Sequence, residues 1–141
     1  LGASGVWMGS MWLATQEYLQ TMGESVAMQQ ALVAASSSDT VRTRIYTGKP
    51  ARLLKTRWTE AWAAPDAPEP LPMPLQNILV SEAHQRMSES SDPTTVAMPV
   101  GQIVGRMNKV RKSRDVIYEM VEECIEATER VNNLMHAGET V

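Results

Sequence analysis

A chain of 141 residues, 43% of them apolar, is long enough to bury one core and too hydrophobic to stay disordered. Its 13 Lys and Arg against 16 Asp and Glu leave a net charge of -3, which argues against a dedicated nucleic-acid binder. The single cysteine excludes an intrachain disulfide and fits a reducing, cytoplasmic setting. No stretch has the make-up of a signal peptide or a membrane span, and no CxxC or His/Cys/Asp group has metal-ligand spacing.

The chain opens at Leu1 without an initiator Met, inside what reads as a helix-to-strand turn, so we expect the N-terminal part of a longer protein to precede it. Val6 to Met8 form a wholly apolar run, the pattern of a short strand covered on both faces. Gly9-Ser10 interrupts it. A helix is expected from about Trp12 to Met22, with Gly23 as its stop. A second should run from Glu24 to Ala35, with Val26, Ala27, Gln30, Ala31 and Ala34 on one side, before the polar loop 36–39.

Thr40 to Thr47, TVRTRIYT, alternates Val41, Thr43 and Ile45 with Arg42, Arg44 and Tyr46, as a strand with one apolar and one cationic face would. Gly48 ends it, and Pro50 is placed to start a helix through about Trp62. Residues 64 to 74 hold five of the eight prolines and predict a stiff extended strap. Leu75 to about Met87 returns to helical spacing, with Leu75, Ile78, Leu79, Ala83 and Met87 as its apolar side. A loop follows over 88–95.

Residues 99 to 113 fit no single pattern. Arg114 to Met135 is a long amphipathic helix, with Val116, Ile117, Met120, Val121, Cys124, Ala127 or Thr128, Val131 and Leu134 in one stripe and glutamates opposite. Ser113 is its expected N-cap. Cys124 in that stripe reads as a buried structural thiol, not a nucleophile. The result is a chain that is mostly α with two short strands. Ten Met, four Trp and no Phe fit a Met-rich core.

A strand ending in Gly9-Ser10 before a helix allows one further reading. Glycine clears the way for close approach, serine supplies a hydroxyl, and the unpaired amides of a helix start attract an anion. A plain capped helix fits the same pattern. Lys and Arg cluster at Arg42 to Arg57 and Arg106 to Arg114; the reading preferred to phosphate contacts is a solvated face balanced by glutamates. His84 and His136 are expected on the surface rather than as catalytic bases.

Three stretches, GASGVWMGSMWLAT, DTVRTRIYTGKPARLLKTRW and PVGQIVGRMNKV, in this order resemble the C-terminal part of the nitronate monooxygenase family, formerly 2-nitropropane dioxygenases. YTGKPAR with its flanks is the most specific piece. The resemblance implies an α/β fold: the last strand and helices of a (β/α)8 TIM barrel plus a mainly helical lid. It divides the chain into 1–38, the last β/α unit of the flavin-binding barrel; 39–112, a lid segment with the proline-rich strap; and 113–141, the C-terminal helix. It implies FMN as cofactor, with Trp7, Met8, Gly9 and Ser10 at the turn that holds its phosphate, a position barrel geometry favours independently. The family usually has Thr at the place of Ser10, which keeps the hydroxyl, and Gln at the place of Trp7, from which only backbone contacts carry over. Lys49 and Arg52 would clamp the lid to the barrel, and Gly101 and Gln102 would lie near the mouth of the flavin site.

The family's catalytic histidine lies upstream, so this stretch alone should be inactive. The implied function is oxidative denitrification of alkyl nitronates, with a flavin-dependent enoyl or quinone reductase, or a non-enzymatic helical interaction protein, as alternatives. Implied partners are a small-molecule substrate and either the missing N-terminal barrel half or a second copy, with neither nucleic acid nor membrane.

Overall fold

A computed structural model describes residues 2–23 and 25–137. The chain divides into two compact units, one ending at Val110 and one starting at Arg111. The first begins with an extended segment and a 3-10 turn, Ser10–Ala14, followed by helices α1 (Gln16–Met22) and α2 (Val26–Ala34). Strands β1 (Thr40–Thr43) and β2 (Ala51–Leu54) come next, then α3 (Arg57–Trp62) and α4 (Leu75–Glu89). Two 3-10 turns, Pro93–Thr95 and Gln102–Arg106, complete it. The second unit is α5, Ser113–His136.

No strand forms at Val6 to Met8. A strand exists only in a ladder, and the two strands here pair with each other. Val6 and Trp7 stand 84% and 100% exposed. The helix expected over 12–22 is broken at Thr15, whose φ of -105 and ψ of 151 are extended. Its hydroxyl donates to the Trp12 carbonyl and accepts from the Tyr18 amide, so Thr15 closes the 3-10 turn and caps α1. Gly23 ends α1 in the left-handed conformation, φ 67, as a helix-stop glycine does.

The largest departure lies at Ala51–Leu54, expected as helix and found as strand. β1 and β2 pair antiparallel in the register Thr40 to Leu54 and Arg42 to Arg52. β1 stops at Thr43 because Arg44 closes a turn: its carbonyl accepts from the Gly48 amide, and its Nε donates to the Gly48 carbonyl. Gly48 has φ 91, and a Cβ there would press on the backbone of Leu71, Pro72 and Met73. The other edge of β2 is taken up by residues 98–100: Leu54 N donates to Met98 O and Val100 N to Arg52 O. Leu53 and Leu54 are thereby buried on a strand, not on a helix face.

The core of this unit joins Ala14, Met28, Leu32, Leu54, Val96, Met98, Val100, Val104 and Met107. α2 turns Ala27, Met28, Gln29 and Leu32 inward, one step round from the expected face, since it is Gln29 that finds buried carbonyls. α4 also faces otherwise than expected. Gln76 and Val80 are buried, whereas Leu75, Ile78 and Leu79 are exposed. Gln76 goes inside because both ends of its amide are used: Nε2 donates to Ile45 O and Oε1 accepts from Leu71 N, each at 2.9 Å.

In α5, Val116 is buried, but Ile117, Val121, Val131 and Leu134 are exposed. Cys124 is exposed too, so the expectation of a buried thiol fails: the stripe that carries it is open along most of its length. Lys112, not Ser113, occupies the N-cap position. Among the described residues, no helix is long and apolar enough to cross a membrane.

Candidate functional site

Two of the stretches singled out above meet in space. Ser10 begins the first 3-10 turn, and its hydroxyl oxygen accepts the amide of Gly101, 91 residues away, at 3.0 Å. The Ser10 hydroxyl proton therefore remains available to donate elsewhere. A second stitch lies alongside, where Ser37 Oγ donates to the Gln102 carbonyl at 2.7 Å. A Cβ on Gly105 would run into Ser37, so glycine there permits the approach. Gly101 itself needs no such allowance: a Cβ would meet Ser10 Oγ at an ordinary 3.6 Å. What Gly101 contributes is its N–H.

The segment before Ser10 is open. Trp7 is wholly exposed, and no heavy atom lies within 4 Å of the place a Cβ would take on Gly9. Met8 is fixed through its carbonyl, which accepts from Trp12 Nε1 at 2.9 Å, and the Gly9 carbonyl accepts from Trp12 N. The amides at the start of a 3-10 turn have no carbonyl within it to bond, which leaves donors at Ser10 and Met11. Beneath them Gln29, buried in α2, donates to the carbonyls of Leu13 (3.1 Å) and Thr15 (2.7 Å). This side chain anchors the turn, and sequence reasoning passed over it. Its one signal was the pair of amides, Gln29 and Gln30, in the otherwise apolar run VAMQQALVA.

YTGKPAR serves the architecture of the first unit. Arg52 Nη1 donates to Thr40 Oγ1 at 3.0 Å and so braces the β1–β2 pair from within; Lys49 is exposed. Arg42 and Arg52 face each other in register, two cations side by side.

His84 is not the surface histidine expected. It is half-buried on α4, stacked on Tyr46 with ring centroids 4.6 Å apart and edge-on to Trp58 at 5.8 Å. Burial lowers its pKa. Its Nε2 is buried and lacks a hydrogen-bond partner, as does Trp58 Nε1. Met28, Met98 and His84 line a cavity of 230 Å³. A more open cleft of 590 Å³ lies between α2 and α3, with Ala31 and Leu54 in its floor and Asp39, Lys55, Arg57 and Glu60 on its rim. The Asp39 carboxyl is held below its ordinary value by hydrogen bonds from the Ser36 side chain and amide, with Lys55 adding a weaker pull. Asp92 is lowered likewise by the Thr94 hydroxyl and amide, and by Arg57.

The model of the nitronate monooxygenase family matches residues 1–123. A Mycobacterium tuberculosis protein named as a monooxygenase is 44% identical over 96% of this chain and 36% of its own length. A Staphylococcus aureus protein named as a nitronate monooxygenase is 30% identical over 72% of this chain and 27% of its own. One from Bacillus subtilis is 26% identical over 89% and 35%. The chain thus spans about a third of the length of the curated relatives it matches. Among solved structures, a mutant of FabK from Thermotoga maritima superposes with a TM-score of 0.67 at 23% identity, over 94% of this chain and 37% of that one. That likeness speaks for the fold alone.

Proposed function

Because the chain belongs to the nitronate monooxygenase family, we propose that it supplies the phosphate-holding turn and much of the lid of an FMN-dependent oxidoreductase acting on alkyl nitronates. The reading places the catalytic base and the rest of the barrel in the part of the protein beyond these residues, and the whole in the cytoplasm. Bound flavin would supply the redox chemistry, taking electrons from the substrate and passing them to oxygen.

The task of these residues is to hold an anion. The space around Gly9 lets a phosphate approach the backbone at residues 7 to 10. The amides that open the 3-10 turn point donors outward, and the Ser10 hydroxyl adds one more. Trp7 contributes through its backbone, since its side chain touches nothing at full exposure. In this reading the catalytic base comes from outside these residues, and His84 serves as a packing residue between Tyr46 and Trp58.

One observation carries the proposal. The Ser10–Gly101 hydrogen bond joins the two family-like stretches GVWMGS and PVGQIVG at a single point, as residues flanking one cofactor would be. The test is to purify the full-length protein and its Ser10→Glu variant. The parent should be yellow, release FMN on denaturation and consume oxygen with an alkyl nitronate. Ser10→Glu places a carboxylate where the phosphate would sit and should emerge without flavin. A colourless parent, or a variant that keeps its flavin, overturns the reading.

A further inference from the structure

Four of the residues around one cavity of 230 Å³ carry soft donor atoms: Met28, His84, Met87 and Met98. They come from separate parts of the first unit, and each part is held in its own way. Met28 is buried on α2, whose next residue, Gln29, is fastened to the carbonyls of Leu13 and Thr15. Met98 is buried on the segment edging β2, where its carbonyl accepts from Leu54 N. His84 and Met87 lie three residues apart and so share one side of α4. That helix is tied to the turn after β1 by Gln76 on the Ile45 carbonyl.

Packing explains most of this set but not all of it. Methionine fills irregular gaps, and Met28 and Met98 belong to the core. Tyr46 covers one face of the His84 ring, and Trp58 meets it edge-on. What remains is Nε2, which is buried and pairs with no protein group. A thioether is only a weak acceptor for an imidazole N–H, and it has no proton to give to an imidazole lone pair. The same two groups suit each other as joint ligands of a soft metal ion.

We infer that the cavity is a copper(I) site, with His84 Nε2 and the thioether sulfurs of Met28, Met87 and Met98 as its ligands. The choice of metal follows from what the walls lack. The other lining residues are Tyr46, Gln85, Ser88, Val96 and Ala97, so neither a carboxylate nor a thiolate lines the cavity. Calcium and magnesium take oxygen ligands, and zinc sites are built from cysteine, histidine and carboxylates. Among the described residues no group of three or more such side chains could hold a metal. Copper(I) takes neutral sulfur and nitrogen donors, and its single charge is the least costly to hold without a counter-charge. The unbranched methionine side chains have the freedom to draw their sulfurs in. The site shares no residue with the Ser10–Gly101 junction and stands whether or not flavin binds there.

The test uses the full-length protein carrying Cys124→Ser, which removes the exposed thiol as a competing ligand. Its methionine methyl groups are isotope-labelled for NMR, and copper(I) is added without oxygen from its bicinchoninate complex. The signals of Met28, Met87 and Met98 should shift together at a single equivalent, with the remaining methionines of this stretch unmoved. Zinc should shift none of the three. His84→Phe and Met98→Leu should each weaken the affinity for copper(I), measured against bicinchoninate, at least about 10-fold. Should either variant fail to fold, Met87→Leu, at a half-buried position, takes its place with the same expected loss. Signals that stay where they are, an equal response to zinc, or variants that hold copper(I) as tightly as the parent overturns the proposal.

Discussion

Gln76 Nε2 donates to the carbonyl of Ile45 at 2.9 Å in a fully buried setting. Its other end receives the amide of Leu71, so one side chain satisfies two backbone groups on different segments. Replacing it with leucine keeps the volume but strands both groups. The expected cost is about 2–4 kcal/mol, since each buried unpaired group costs about 1–3 kcal/mol. Urea unfolding of the two proteins measures it, and an unchanged midpoint would mean that water reaches both groups.

Gly48→Ala should destabilise by about 2 kcal/mol or more, because it combines a positive φ with a Cβ aimed at backbone that cannot yield. Gly9→Ala is the matched control: its surroundings are open, and its φ of -110 is ordinary for alanine. If the two substitutions cost the same, the strap does not lie against the Gly48 turn.

Burial holds the pKa of the His84 ring below its ordinary value of 6.5. A depressed value means that the unfolded chain takes up the proton first. The stability this ring contributes is thus present above pH 6.5, shrinks as pH falls below it, and levels off once the folded ring protonates as well. The ring is only half-buried, so solvent screening keeps the effect small. The stability gap between parent and His84→Phe should therefore change between pH 8 and pH 5, the parent losing more on acidification. A gap constant across that range would show the imidazole to be as well solvated as in the unfolded chain.

Ser10→Ala removes the acceptor of the Gly101 amide and a hydroxyl donor together. We expect a stability loss of about 1 kcal/mol and a full-length protein that retains less flavin after dialysis, where Ser10→Thr retains it. Equal retention by alanine and threonine would leave the hydroxyl with a packing role only.

Much of this was legible in the residues. Gly23 was read as a stop and adopts the left-handed stop conformation. The spacing of α2, α4 and α5 gave their extents to within a few residues. What failed was the choice of face and of state where remote groups decide. Leu53 and Leu54 suit a helix as well as a strand, and the arbiters are the turn at Gly48 and the Met98–Val100 edge, dozens of residues away. Gln76 and Gln29 look like surface residues until their carbonyl partners are placed. The candidate site was half visible: Gly9-Ser10 stood out locally and Gly101-Gln102 only through the family resemblance, and no local pattern announces a hydrogen bond across 91 residues.

The fastening of the strap has a mechanical consequence. Residues 45 to 48, the strap and the start of α4 are tied at Gly48, Leu71 and Gln76, so they travel as one plate. The exposed Ser36–Asp39 turn is fastened separately, with the Ser36 and Ser38 hydroxyls and the Asp39 carboxylate bonded to one another. Ser37 reaches across from that turn to the Gln102 carbonyl, so a load on the 101–102 segment passes to the start of β1 and not to the plate.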